Sequence, residues 1–121
     1  MLARPRQSPR ALAELALQRA QLAYAEGEWA TASEWIIAAN QLVPGYWLAE
    51  AYAAQNLALA GRREEAIRSL SAIAERSGSP EVMDALAHLL RLQGQRSNSL
   101  AWWRRADALW HARLERFPKF Y

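Results

Sequence analysis

Residues 27–44 read GEWATASEWIIAANQLVP. A glycine opens the stretch, Ala32 follows five residues later, and Pro44 closes it seventeen residues after the glycine. Between the breaks, Trp29, Ala32, Ile36, Ala39 and Val43 recur at i, i+3, i+7, i+10 and i+14, which is one face of an α-helix. Thirty-four residues beyond Gly27 the chain reads GRREEAI (61–67), with Ala66 at the same offset from its glycine. The stretch is therefore a helix between a glycine turn and a proline stop, and its spacing returns further along the chain.

The glycines carry that spacing through the whole sequence. They stand alone at 27, 45, 61, 78 and 94, with Pro44 beside Gly45 and Pro80 near Gly78. Glycine supplies the left-handed residue that ends a helix, and proline cannot continue one. The gaps leave room for helices of about four turns, close to the globular average. Six are predicted, over about 10–26, 29–43, 46–60, 62–76, 79–93 and 96–117. In the fourth, Ala66, Leu70, Ile73 and Ala74 share a face; in the fifth, Val82, Leu86, Leu89 and Leu90 do. Ser79 and Ser97 stand where N-caps are expected, with Pro80 as a first helical residue. No segment alternates with the period of two that a half-buried strand needs. Short loops make consecutive helices antiparallel neighbours, so the unit is an αα-hairpin.

Composition agrees. The 121 residues are 52% hydrophobic and 22% charged, which suits one folded domain of all-α class. Cysteine is absent, which excludes disulfides, thiolate metal ligands and cysteine nucleophiles. The net charge of +3 is uneven: residues 1–10 carry three arginines and no acid, residues 11–95 carry six Arg against ten Asp and Glu, and residues 96–121 carry six bases against two acids. Apolar stretches are broken by Glu, Gln or Arg well short of the ~20 residues a bilayer span requires. The basic start is followed by Glu14 and Arg19, unlike a secretory signal. Residues 1–9 are expected to be a flexible basic arm, residues 10–121 a single domain, and the chain cytoplasmic.

The recurring hairpins resemble the tetratricopeptide repeat family, whose period is 34 residues. Gly27, Trp29, Ala32, Ala39 and Pro44 match its pattern in the first repeat. Gly61, Ala66 and Leu70 match in the second, with Arg63 at the aromatic place and Gly78 at the proline place. Gly94, Ser99, Trp103 and Ala106 match in the third, with His111 at the proline place. The small residue seven before each glycine is Ala20, Ala54 or Ala87. The resemblance implies a right-handed solenoid of about three hairpins, at about 12–45, 46–79 and 80–117. It also implies a concave groove, lined by the first helix of each pair, that holds a peptide or a partner's helix. Carried over position by position, the groove residues are Leu17, Gln21, Tyr24, Leu48, Tyr52, Gln55, Leu59, Asp84, His88 and Arg91. Gln21, Gln55 and His88 fall at one register, and each can donate and accept hydrogen bonds. One subclass clamps C-terminal carboxylates with Lys, Asn and Arg. Its places here are Leu17, Gln21, Tyr52, Glu81 and Ala85, none of them cationic, so an acidic C-terminus is not the expected ligand.

The last helix exceeds a repeat's second helix in length. Leu100, Trp103, Ala106, Trp110, Leu114 and Phe117 form an apolar stripe, widened by Trp102 and Leu109. A stripe with three tryptophans and no covering helix is expected to self-associate or meet a partner. The expected partner is thus a protein or peptide, a second copy included, with further repeats of a longer chain as another cover for the stripe. Catalysis has no footing: His88 and His111 have no metal-ligand spacing, no glycine-rich phosphate loop occurs, and the serines lack a nucleophile signature. No enzyme activity, metal or cofactor is expected. The alternative is RNA or single-stranded DNA binding by Arg96, Arg104, Arg105, Arg113 and Arg116 beside the tryptophans. The acidic middle of the chain makes nucleic acid the less expected partner.

Overall fold

The computed structural model describes residues 8–116. Among these the chain is all-helical and has six helices: α1 (Pro9–Ala25), α2 (Trp29–Leu42), α3 (Trp47–Leu59), α4 (Arg63–Ser77), α5 (Pro80–Leu92) and α6 (Arg96–Arg116). Residues 1–7 of the expected arm, and Phe117 of the expected apolar stripe, lie outside the described range. The last two residues of that arm belong to α1 instead. Ser8 is its N-cap, accepting the Ala11 N–H at 3.1 Å, and Pro9 opens the helix. Ser79–Pro80 opens α5 in the same way, although there the serine hydroxyl turns to Glu81. Ser97 is not a cap: α6 begins at Arg96, and the Ser99 N–H bonds to the Gln95 carbonyl at 2.9 Å.

The turn inside each hairpin is built alike. The Glu28 N–H reaches the Ala23 carbonyl at 2.8 Å, Arg62 reaches Leu57 at 2.9 Å, and Gln95 reaches Leu90 at 2.9 Å. Each bond closes a helix C-terminus with a residue at positive φ just before the donor, the arrangement glycine allows without a Cβ penalty. Gly61 sits at φ +85° there, as its place in the repeat predicts.

The chain divides into two compact units, one ending at Asn56 and one beginning at Leu57. In the first, α1 packs along α2 and α3 closes over both. Ala13, Ala16 and Leu17 of α1 and Ala39 of α2 share a buried cluster with Tyr46 and Ala49. Ala20, Ala23, Ala32 and Ile36 form the next cluster, covered by Tyr24, Tyr52 and Ala53. Ala20 and Ala32 are fully buried, so two helices cross there with nothing larger than a methyl between them. Trp29, at the start of the expected α2 stripe, is 56% exposed and leans on the Tyr24 ring at 5.3 Å.

In the second unit α5 packs against both α4 and α6. Ala66, Leu70, Ile73 and Ala74 of α4 are buried, as are Val82, Met83, Leu86, Leu89 and Leu90 of α5. Ser99 of α6 donates its hydroxyl to the Ala87 carbonyl at 2.7 Å, which fixes the close crossing of the third hairpin. Two ion pairs also hold α6. Arg105 meets Glu75 of α4 at 2.7 Å, and Arg113 meets Glu81 of α5 at 2.7 Å.

Candidate functional site

The first unit uses the polar tips of its expected groove residues internally. Tyr24 donates its hydroxyl to Asn56 Oδ1 at 2.7 Å, and Asn56 Nδ2 donates to Ser33 Oγ at 2.9 Å. Gln21 Nε2 donates to the Tyr52 hydroxyl. Asn40 Nδ2 bridges its own helix to the Ala49 carbonyl at 3.1 Å. These bonds run in ascending order along both helices, from Gln21–Tyr52 to Tyr24–Asn56, so α3 lies parallel to α1. Burial raises the pKa of Tyr24 above 10.0, helped by the neighbouring Tyr52 phenol. Burial also raises Tyr52, against the opposing effect of the Gln21 hydrogen bond. Leu17 is buried at 3% exposure, and Leu48 packs half-buried beside it. Gln55 is exposed. Among the expected groove positions of this unit, Leu17, Gln21 and Tyr24 of α1 therefore meet Leu48 and Tyr52 of α3 in the contact that seats α3.

The second unit brings its expected site residues together differently. Asp84, His88 and Arg91 of α5 line an open cleft of about 720 Å³ with Ala87, and α6 supplies Arg96, Ser99, Leu100 and Trp103 to the other wall. Three residues expected in a groove and one expected on an apolar contact face thus share one cavity. Trp103 is 51% exposed and Leu100 44%. Arg91 and Arg96 put positive charge at one end. Asp84 lies two turns of α5 away and accepts the Trp110 indole N–H at 2.9 Å. The walls offer apolar surface, two cations, one carboxylate and an imidazole. Among the lining residues, Ser99 donates its hydroxyl to the Ala87 carbonyl.

The rest of the expected contact face is divided. Trp110 is half-buried, bonded to Asp84 and covered by the Arg113 guanidinium at 5.0 Å from its ring. Trp102 is half-buried under Arg105 at 4.4 Å. Leu109 is 37% exposed and Leu114 67%. Leu59 of the groove set is 64% exposed. Glu81, one of the non-cationic places of the carboxylate-clamp pattern, pairs with Arg113. Desolvation pushes its pKa up, but hydrogen bonds from Ser79 and Arg113 outweigh that and leave it below 4.5.

The sequence placed Arg96 among the nucleic-acid arginines, Ser99 in the repeat pattern and Leu100 in the apolar stripe, and none of them beside Asp84 and His88, where the structure puts them. The signal was present: they stand 67 residues after Trp29, Ala32 and Ser33. Of those, Ala32 shares the cluster that Ala53 covers and Ser33 accepts from Asn56, so both help seat α3. Among the described residues no group of His, Asp and Glu is placed to hold a metal, and no helix is long and apolar enough to cross a membrane. No family model matches the chain, and no curated protein resembles it at a significant level.

Proposed function

We propose that the chain is a non-enzymatic protein–protein interaction module, a right-handed solenoid of about three tetratricopeptide-like hairpins that takes a peptide or partner helix. The repeat reading is supported by the same hairpin turn bond at residues 23–28, 57–62 and 90–95. The binding reading is carried by one observation: the α5–α6 cleft, where Asp84, His88, Arg91 and Trp103 meet on an open surface. Arginine and tryptophan are the side chains most enriched where interfaces concentrate their affinity. Two of the arginines that would grip a nucleic acid, Arg105 and Arg113, are instead engaged by Glu75 and Glu81, which counts against that alternative.

Selection from a displayed random-peptide library tests the reading. The wild-type chain enriches peptides, and Trp103→Ala and Arg91→Glu, both folded by circular dichroism, lose them. Failure of the wild-type chain to enrich any sequence, or equal enrichment by both variants, contradicts it.

A further inference from the structure

The α5–α6 cleft repeats, position for position, the seat that α3 occupies on the first hairpin. Its lining residues Asp84, Ala87, His88, Arg91, Ser99, Leu100 and Trp103 stand 67 places after Leu17, Ala20, Gln21, Tyr24, Ala32, Ser33 and Ile36. In the first unit each of those seven either shares a buried cluster with α3 or hydrogen-bonds to it. The cleft is thus shaped by the same backbone spacing to receive a helix lying parallel to α5.

The chain also carries the matching insert. Tyr46, Ala49, Tyr52, Ala53 and Asn56 are among the positions by which α3 and its entry turn meet their seat. Thirty-four places earlier stand Leu12, Leu15, Gln18, Arg19 and Leu22 of α1, so leucines take three of the five places. These leucines form a stripe at i, i+3 and i+10, and they are 37%, 43% and 53% exposed. Charge fits the same orientation. A helix parallel to α5 that places Leu22 against Leu100 brings Glu26, one turn on, to Arg91 and Arg96. Its Arg10 end then falls toward Asp84.

We infer that α1 of a second copy of this chain seats in the α5–α6 cleft, so that the protein assembles head to tail. The inference rests on the reading of the cleft as a protein-binding seat. Such a contact joins two different surfaces, so copies link head to tail in open chains or rings.

Sedimentation of the unmodified chain from about 5 µM to about 500 µM, a range in which weak specific contacts register, is the test. The expected weight-average mass rises above the 13.7 kDa of one chain. Leu15→Glu removes the insert and Trp103→Glu removes the seat; each alone sediments as one chain with unchanged helix content. Their equimolar mixture recovers a species of twice that mass, because each supplies the half the other lacks. A wild-type mass fixed at one chain, or a mixture that stays monomeric, overturns the inference. Leu15→Glu keeps an intact cleft and still takes library-selected peptides. Peptide uptake by this variant beside a strictly monomeric wild type removes head-to-tail assembly and leaves the binding reading standing, whereas loss of uptake by folded wild type removes the binding reading itself.

Discussion

Asn56 offers the sharpest perturbation of the first unit. Its side chain stands between α1 and α2, accepting from Tyr24 at 2.7 Å and donating to Ser33 at 2.9 Å. A hydrogen bond contributes about 0.5–1.5 kcal/mol net, and a partner left unsatisfied where water reaches it poorly adds to the cost. Asn56→Ala removes both bonds. Ser33 still donates to the Trp29 carbonyl at 3.1 Å, and Tyr24 is half-buried, so water replaces part of what is lost. The expected destabilisation is about 1.5–2 kcal/mol. Tyr24→Phe removes one of the two bonds and is expected to cost about 1 kcal/mol. Because both changes break the same contact, the double variant falls short of additivity by about 1 kcal/mol. Urea unfolding followed by circular dichroism measures all three. An Asn56→Ala loss below about 0.5 kcal/mol, or single effects that add within about 0.3 kcal/mol, would refute the claim that this relay fastens α3 to its seat.

Three further outcomes follow from the same geometry. Ala66 is fully buried, so Ala66→Leu overpacks its site and lowers unfolding stability by about 1–3 kcal/mol. At Gly61 an added Cβ meets no atom within 4 Å, so Gly61→Ala pays only for placing a side chain at φ +85°, about 1 kcal/mol by the same assay. Tyr24 and Tyr52 have pKa values raised above 10.0 in the folded chain, so the stability they lend is full below pH 10.0 and is lost as pH rises through the folded values. Alkaline unfolding is therefore shallower in Tyr24→Phe than in wild type, relative to each protein's neutral-pH stability; identical alkaline slopes contradict this.

Helix positions were legible because glycine and alanine act locally. A residue at positive φ must interrupt a helix wherever it stands, and a methyl at a close crossing is required whatever surrounds it. The α4 stripe of Ala66, Leu70, Ile73 and Ala74 is buried as its spacing predicts. Trp29 obeyed the same spacing and is exposed, because an indole at the edge of a hairpin is too large for the gap its neighbour Ala32 fills. The expected groove was harder to read. Periodicity says which residues share a face, but not whether that face already has an occupant. Gln21 and Tyr24, expected to line an open groove, are bonded instead to Tyr52 and Asn56 of α3. These pairs meet because α3 runs parallel to α1, which no local pattern states. The cleft in the second unit was half visible. His88, Arg91 and Trp103 stood out by residue type, whereas Ser99 and Leu100 are ordinary residues whose role comes from the positions they copy.

The absence of cysteine makes one measurement direct. A spin label on Ala11→Cys, in an unlabelled copy mixed with ¹⁵N-labelled wild type, reports only contacts between molecules. If the α5–α6 hairpin receives a helix as the first hairpin receives α3, relaxation broadens the Trp103 indole and the amides around Asp84 and His88, and spares Gln55. Broadening that avoids the cleft, or none at high concentration, contradicts the account.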